Sequence, residues 1–361
     1  MGQLNIYSCL TTDGWTLNSN KSFIAISIHL IDKNWNLVSY IINLVHSQER
    51  HTSVNLQKSL EAAMDTWQIP EAFAVVSDNA ANTVLALTSS KRVQHMVRCV
   101  GHTSQLAIND NINAIQAVRG ALAAIRRVAQ FFRSSNPSWN VLKQIQKDEI
   151  KRNYKNRGTT VSRLPKPIRP IMDCETRWSS KIHMAERMVR LQQNIIAAMQ
   201  DPQVKKDMAR SKCGIPNADH WGVAQTVVEV LKPFADQVTR WSGQRYVSYS
   251  AIYPAIFGLL DFLKPDDEND TWAAVQLKEK LQSEIKQRFG LVSSISNDFP
   301  CYLGMVAALL DPRLKSLPFL TTEEKASVIT YAEELQAILQ QQPVMGPAAT
   351  TSASSKCFSH K

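Results

Sequence analysis

Two aspartates, Asp13 in TTDGWT and Asp78 in SDNAANT, each close an apolar, β-branched run. Carboxylates at strand ends are held by rigid backbone, which is what a Mg²⁺ site of hard oxygen ligands needs. An ion held there would activate a water or a 3′-hydroxyl for attack on a phosphodiester and neutralise the developing charge. The plainer alternative is a turn aspartate beside Gly14 and a helix N-cap at Asp78. Two further strings follow: Cys99-Val-Gly-His102 and Thr176-Arg177-Trp178. Cys99 and His102 have no two further ligands at sensible spacing, so no zinc site is expected. Cys99 reads as a small buried residue ending a strand, and His102 as the start of the next helix. Arg177 and Trp178 have the right chemistry for a nucleobase, because guanidinium and indole both stack on bases. Their alternative is a core tryptophan beside a surface arginine. Asp311-Pro312-Arg313 ends a helix and starts a turn, and no chemistry is assigned to it.

The order of these strings, with LLDPRLK at Leu309–Lys315, resembles the transposases of the hAT superfamily. The nearest resemblance is to their host-adopted descendants with BED-type zinc fingers, over a tract from about Thr11 to about Leu317. The resemblance implies a ribonuclease H-like fold interrupted by a large helical insertion, and Asp13 and Asp78 as descendants of metal ligands for Mg²⁺. It implies a role for His102 beside the scissile strand and for Arg177 and Trp178 in holding an unstacked base. The family's third acid, a glutamate, lies beyond the insertion near a C-terminal dimerisation segment. This sequence ends before such a segment and begins almost on the first catalytic strand, without a BED finger. The expectation is therefore a fragment, a truncated gene model or a shortened domesticated copy.

The elements that must position these residues are legible in the pattern. Ser8–Leu17, Phe23–Ile31 and Leu37–Val45 read as strands, with turn chemistry at Asp32-Lys33-Asn34. An amphipathic helix is expected over His51–Trp67, a wholly apolar strand over Ala72–Ser77 and a helix from Asn79. Met96–Cys99 is a fifth strand, with a helix from His102. From Trp178 onward helices dominate, over 181–199, 220–241, 248–262, 271–289, 302–310 and 322–341. The expected fold class is α/β, a ribonuclease H-like core over 1–180 followed by a helical insertion-like domain over 181–341. Residues 342–361 are low-complexity and are expected to be disordered.

The 361 residues carry a formal charge of +10, which favours a polyanionic partner. Nine basic residues lie between Lys143 and Arg169, against Asp148 and Glu149. A basic mobile loop over 147–170 is expected there, with Lys151, Arg152, Lys155 and Arg157 as DNA contacts. Arg119, Arg126 and Arg133 recur every seven residues on one helix face, opposite an apolar stripe that includes Val118, Leu122 and Ile125. The alternative is a solvated face followed by a solvated loop. Six scattered cysteines form no C-x-x-C pair, which suits a reducing intracellular compartment. No apolar run reaches membrane-spanning length.

The expected function is a transposase-derived nuclear protein, associated with DNA and acting in transcription regulation. It is expected to be catalytically incomplete for want of the third acid, with Mg²⁺ as the candidate cofactor if Asp13 and Asp78 retain it, no evident zinc site and no small-molecule substrate. A second reading is an active metal-dependent transposase or nuclease, in which another acid such as Asp173 or Glu175 completes the site. A third is a protein-interaction module that binds partners through its helical half.

Overall fold

The computed structural model describes residues 8–341 except 18, 20, 48–50, 157–163, 175–176, 244–245, 247, 267 and 292–299. The expectations for Arg157, Arg163, Glu175, Thr176 and the segment 342–361 fall outside the described residues. Two compact units emerge: Met1–Arg98 with Lys315–Lys361, and Cys99–Leu314.

The first unit is built on a five-stranded mixed sheet. Strands β1 (Ser8–Thr16), β2 (Ser22–Ile31) and β3 (Leu37–Ser47) form an antiparallel meander. The helix α1 (Ser53–Thr66) then leads to β4 (Ala72–Ser77), α2 (Ala81–Ser89) and β5 (Val93–Arg98). The sheet order is β3-β2-β1-β4-β5, with β4 parallel to both of its neighbours. One face is the core: Leu10, Ile24, Ile26 and Ile28 alternate inward and meet Leu60, Met64, Val75 and Leu87. The β2–β3 turn is fixed by Asp32, whose Oδ1 accepts from the backbone of Asn34 and Asn36. Those bonds hold the Asp32 carboxyl below its ordinary pKa. Thr52 caps α1 by accepting from the Asn55 amide. The same unit includes α13 (Thr322–Gln341), whose Val328 is fully buried.

The second unit is helical. It comprises α3 (Val100–Ala114), α4 (Gln116–Ser134), α5 (Asn136–Asn156), α6 (Trp178–Arg190), α7 (Gln192–Ala198), α8 (Pro202–Arg210), α9 (Ala218–Trp241), α10 (Ile252–Phe262), α11 (Trp272–Arg288) and α12 (Pro300–Leu310). Its core gathers Ile125, Val128 and Phe132 of α4 with Leu142 of α5, Met184 and Met188 of α6, Val204 and Met208 of α8, and Trp221 of α9. Helix α4 packs on α6 and α9, so the division between units falls at Arg98/Cys99 rather than at a boundary near residue 180.

Two local outcomes differ from the sequence pattern. Residues 147–156 are the last turns of α5, where a loop was expected. Lys, Glu, Arg and Ile sustain a helix, and the next Gly or Pro is Gly158, so nothing stops it earlier. Helix α8 was not anticipated. It is nine residues long, is nucleated by Asp201, which accepts from Gln203 and Val204, and carries Pro202 in its first turn.

Candidate functional site

Asp13 lies on β1 and Asp78 is the first residue past β4. The parallel pairing matches Leu10 with Val75 and Thr11 with Val76. Two further steps of that register bring Asp13 level with Asp78. Leu10 and Val75 face the core, so strand alternation turns Cys9, Thr11 and Asp13 to the other face of the sheet. Asp13 is exposed and Asp78 half-buried. The Asp78 Oδ1 accepts from the Ala80 amide, in an Asx-type turn just before α2, and Ala80 rather than Asp78 occupies the N-cap position.

Beside Asp13 runs a polar chain that sequence reasoning missed. Thr11 Oγ1 lies 3.0 Å from His29 Nε2, and His29 Nδ1 lies 2.8 Å from Ser39 Oγ, so the chain crosses three strands. Burial pushes the His29 pKa down, which favours the neutral ring. The only signal in the sequence was a histidine inside an alternating strand. Thr12, Gly14, His51, Asp78, Asn82 and Thr83 line a cavity of about 120 Å³ in the same unit. Asn82 Nδ2 donates to the His51 carbonyl and fixes one wall of it.

The remaining expected site residues belong to the second unit. Cys99 is half-buried at the N-cap of α3, and His102 is half-buried in the first turn of that helix. Arg177 is the exposed N-cap of α6. Trp178 is 2% exposed and packs in the interior, so its indole offers no open face to a base in this conformation. The pair is thus a core tryptophan beside a surface arginine. Lys151, Arg152 and Lys155 are exposed on the last turns of α5, with Lys147, Lys151 and Lys155 at four-residue spacing on one stripe. Among the described residues, no group of three or more His, Cys, Asp or Glu side chains could hold a metal ion, and no helix is long and apolar enough to cross a membrane.

Of the arginines expected to form a basic stripe, Arg119 is exposed and donates to the Asn113 carbonyl, while Arg126 and Arg133 hold a neighbouring segment. Residues 164–174 run as an extended strap kept out of helix by Pro165, Pro167 and Pro170. Arg126 Nε donates to Asp173 at 2.8 Å, and the Asp173 side chain is only 3% exposed. Arg133 and Arg187 donate to the carbonyls of Pro170 and Arg169. Arg169 donates to the Arg133 carbonyl, and its guanidinium sits 5.3 Å from the Trp139 ring centroid. Gln146, on α5, donates to the Ile168 carbonyl and accepts from its amide, as a strand neighbour would. Asp173 is therefore an anchor of the strap and already has its cation.

Asp311 accepts from the Arg313 side chain and backbone and from Ser250. These bonds hold its carboxyl well below the usual range. It clasps the turn after α12 to Ser250.

A three-stranded meander followed by helix, parallel strand, helix and parallel strand, with carboxylates level on β1 and β4, defines a ribonuclease H-like class. The family comparison agrees. Residues 11–103 match the model described as the ZBED1 RNase-like domain, and residues 97–230 match the ZBED1 RNase-like helical domain. The chain belongs to the hAT-type, transposase-derived family that includes the BED zinc finger proteins. A Zea mays protein whose name describes it as an AC transposase is 26% identical over 327 residues, covering 85% of this chain and 36% of that protein. Human zinc finger BED domain-containing protein 4 is 22% identical over 330 residues, covering 88% of this chain and 25% of that protein. A Talaromyces stipitatus protein named as a transcriptional regulator, tpeD, is 22% identical over 340 residues, covering 87% and 36%. The chain thus spans about a third or less of the length of these relatives.

Proposed function

We propose that this chain is the core of a nuclear, DNA-associated protein acting in transcription regulation, and that it does not by itself complete transposition chemistry. The observation that carries the reading is the level placement of Asp13 and Asp78 on neighbouring strands. Neighbouring strands lie about 4.8 Å apart, a spacing at which carboxylates at two strand ends can share one ion. Their all-oxygen chemistry fits Mg²⁺, which tolerates a site of one or two carboxylates completed by water. Bound there, the ion would supply charge neutralisation at a phosphodiester. Asp13 and Asp78 would hold it, and the Asx-type turn at Asp78 fixes one of the two carboxylates. The Thr11–His29–Ser39 chain stiffens the strand face on which Asp13 lies.

Two-metal phosphoryl transfer needs two ions about 3.5–4 Å apart, hence more negative ligands than two aspartates. Of the two acids that could complete such a site, Asp173 is committed to Arg126, and Glu175 lies outside the described residues. The named relatives support the nuclear and regulatory part of the reading, and the exposed Lys147, Lys151, Arg152 and Lys155 supply the phosphate contacts.

The test is incubation of the purified 361-residue chain with duplex transposon-like ends in Mg²⁺ or Mn²⁺. DNA binding without cleavage or joining is expected. Cleavage that disappears in Asp13→Ala or Asp78→Ala would sink the catalytic half of the proposal.

A further inference from the structure

Several arginines are engaged within the fold. Arg126, Arg133, Arg169 and Arg187 hold the strap, Arg288 pairs with Asp110 and Glu284, and Arg313 pairs with Asp311. What remains for a partner includes much exposed lysine. One concentration of it lies outside the stretch that the sequence pattern singled out, on α8 and the turn after it.

Lys205, Lys206 and Lys212 are exposed and have no ion pair among the described residues. Val204 and Met208 bury the opposite side of α8 in the core, which leaves the lysines facing water. The acids that could offset them are turned to other tasks. Asp201 caps the helix, and the Asp207 side chain is 11% exposed and accepts from Ser138 of α5 at 3.2 Å. Arg210 is 73% exposed and keeps only a loose contact of 3.9 Å to Asp207.

We propose that this surface, formed by α8 and Lys212, binds the phosphates of a DNA backbone. The proposal rests on the DNA-associated reading above and adds a contact track to the one on α5. Lysine-dominated surfaces without an aromatic anchor suit phosphates, which accept point charges from any direction. Protein interface cores are instead depleted in Lys and enriched in Tyr, Trp and Arg. The two tracks are separate. Helix α8 meets α5 at Ser138, and Lys151 lies thirteen residues on, about 20 Å along the helix axis. Their contributions should therefore add.

The experiment measures binding to a mixed-sequence duplex by fluorescence anisotropy, from about 50 to 200 mM salt. It compares the parent chain, a Lys205→Gln/Lys206→Gln/Lys212→Gln variant and a Lys147→Gln/Lys151→Gln/Lys155→Gln variant. Each phosphate contact contributes about 0.9 to the slope of log affinity against log salt, so the α8 variant should lose between about 2 and 3 of slope and roughly 100-fold in affinity near 0.1 M salt. An unaltered circular-dichroism melt shows the fold intact. A slope unchanged in the α8 variant but flattened in the α5 variant overturns this proposal and leaves the DNA reading standing. A parent chain that does not bind the duplex overturns both. Polyglutamate binding that the α8 variant alone abolishes, with its DNA slope unchanged, would reassign the surface to an acidic protein.

Discussion

Arg126, Arg133 and Arg169 carry the same charge as Lys151, Lys155 and Lys205, and all six sit in the helical unit. The first three hold the strap to the core. The other three stand in water. The difference follows from side-chain chemistry. A planar guanidinium can satisfy a carboxylate, a carbonyl and an aromatic face at fixed angles, so it loses less by being held. An ammonium is strongly hydrated, and the buried exception, Lys278, donates to both carboxylate oxygens of Asp270. Net charge alone therefore overstates the surface available to a polyanion, because part of it is engaged within the fold.

The largest expected effect concerns the Arg177–Trp178 pair, which divides in the same way. Trp178→Ala should cost about 4 kcal/mol, the range for emptying a buried aromatic site. Arg177→Ala should change stability by less than about 0.5 kcal/mol, because its side chain is exposed. Urea unfolding of both variants checks this. Comparable small losses would mean that the indole is not committed to the core.

Next in size is the strap. Arg126→Ala leaves a carboxylate of 3% exposure without its cation, at a cost of about 3 kcal/mol. This sits at the lower end of the range because Arg126 itself is 36% exposed. Arg127→Ala, one residue along and exposed, should be nearly silent in the same unfolding assay. Equal losses at the two positions would erase the distinction between inward and outward cations.

The smallest effect is a pH dependence. Asp311 has a depressed pKa in the fold, caused first by its hydrogen bond from the Arg313 side chain. Its contribution is fully present above the unfolded value of about 4 and is lost as pH falls from there toward the folded value. The stability gap between the parent and Asp311→Asn should therefore narrow as pH is lowered from 6 to 3. A gap that stays constant or widens would remove Asp311 from the clasp.

Much of the first unit was legible because its signals are local. Alternation in Phe23–Ile31, turn chemistry at Asp32 and the unbroken apolar run before Asp78 each specify their element without distant partners. The helical half was legible in type but less so in its breaks. The continuous stretch expected over 181–199 divides at Leu191 into α6 and α7, and α8 went unseen because nine residues with two adjacent lysines carry little periodicity. The resemblance named the aspartates, but their adjacency along the sheet came from the register of β1 on β4, which pairs residues more than sixty positions apart.

By itself the sequence determined the element types, the family and the identity of the two strand-end acids, since these depend on residue order and short-range preference. Tertiary structure alone decided which cations remain free, because Arg126 and Asp173 are 47 residues apart and meet only when the strap lies on α4. It likewise decided that Trp178 is interior and that Thr11, His29 and Ser39 form one chain. Burial and hydrogen-bond partnership depend on the packing of distant segments, and no local pattern encodes them.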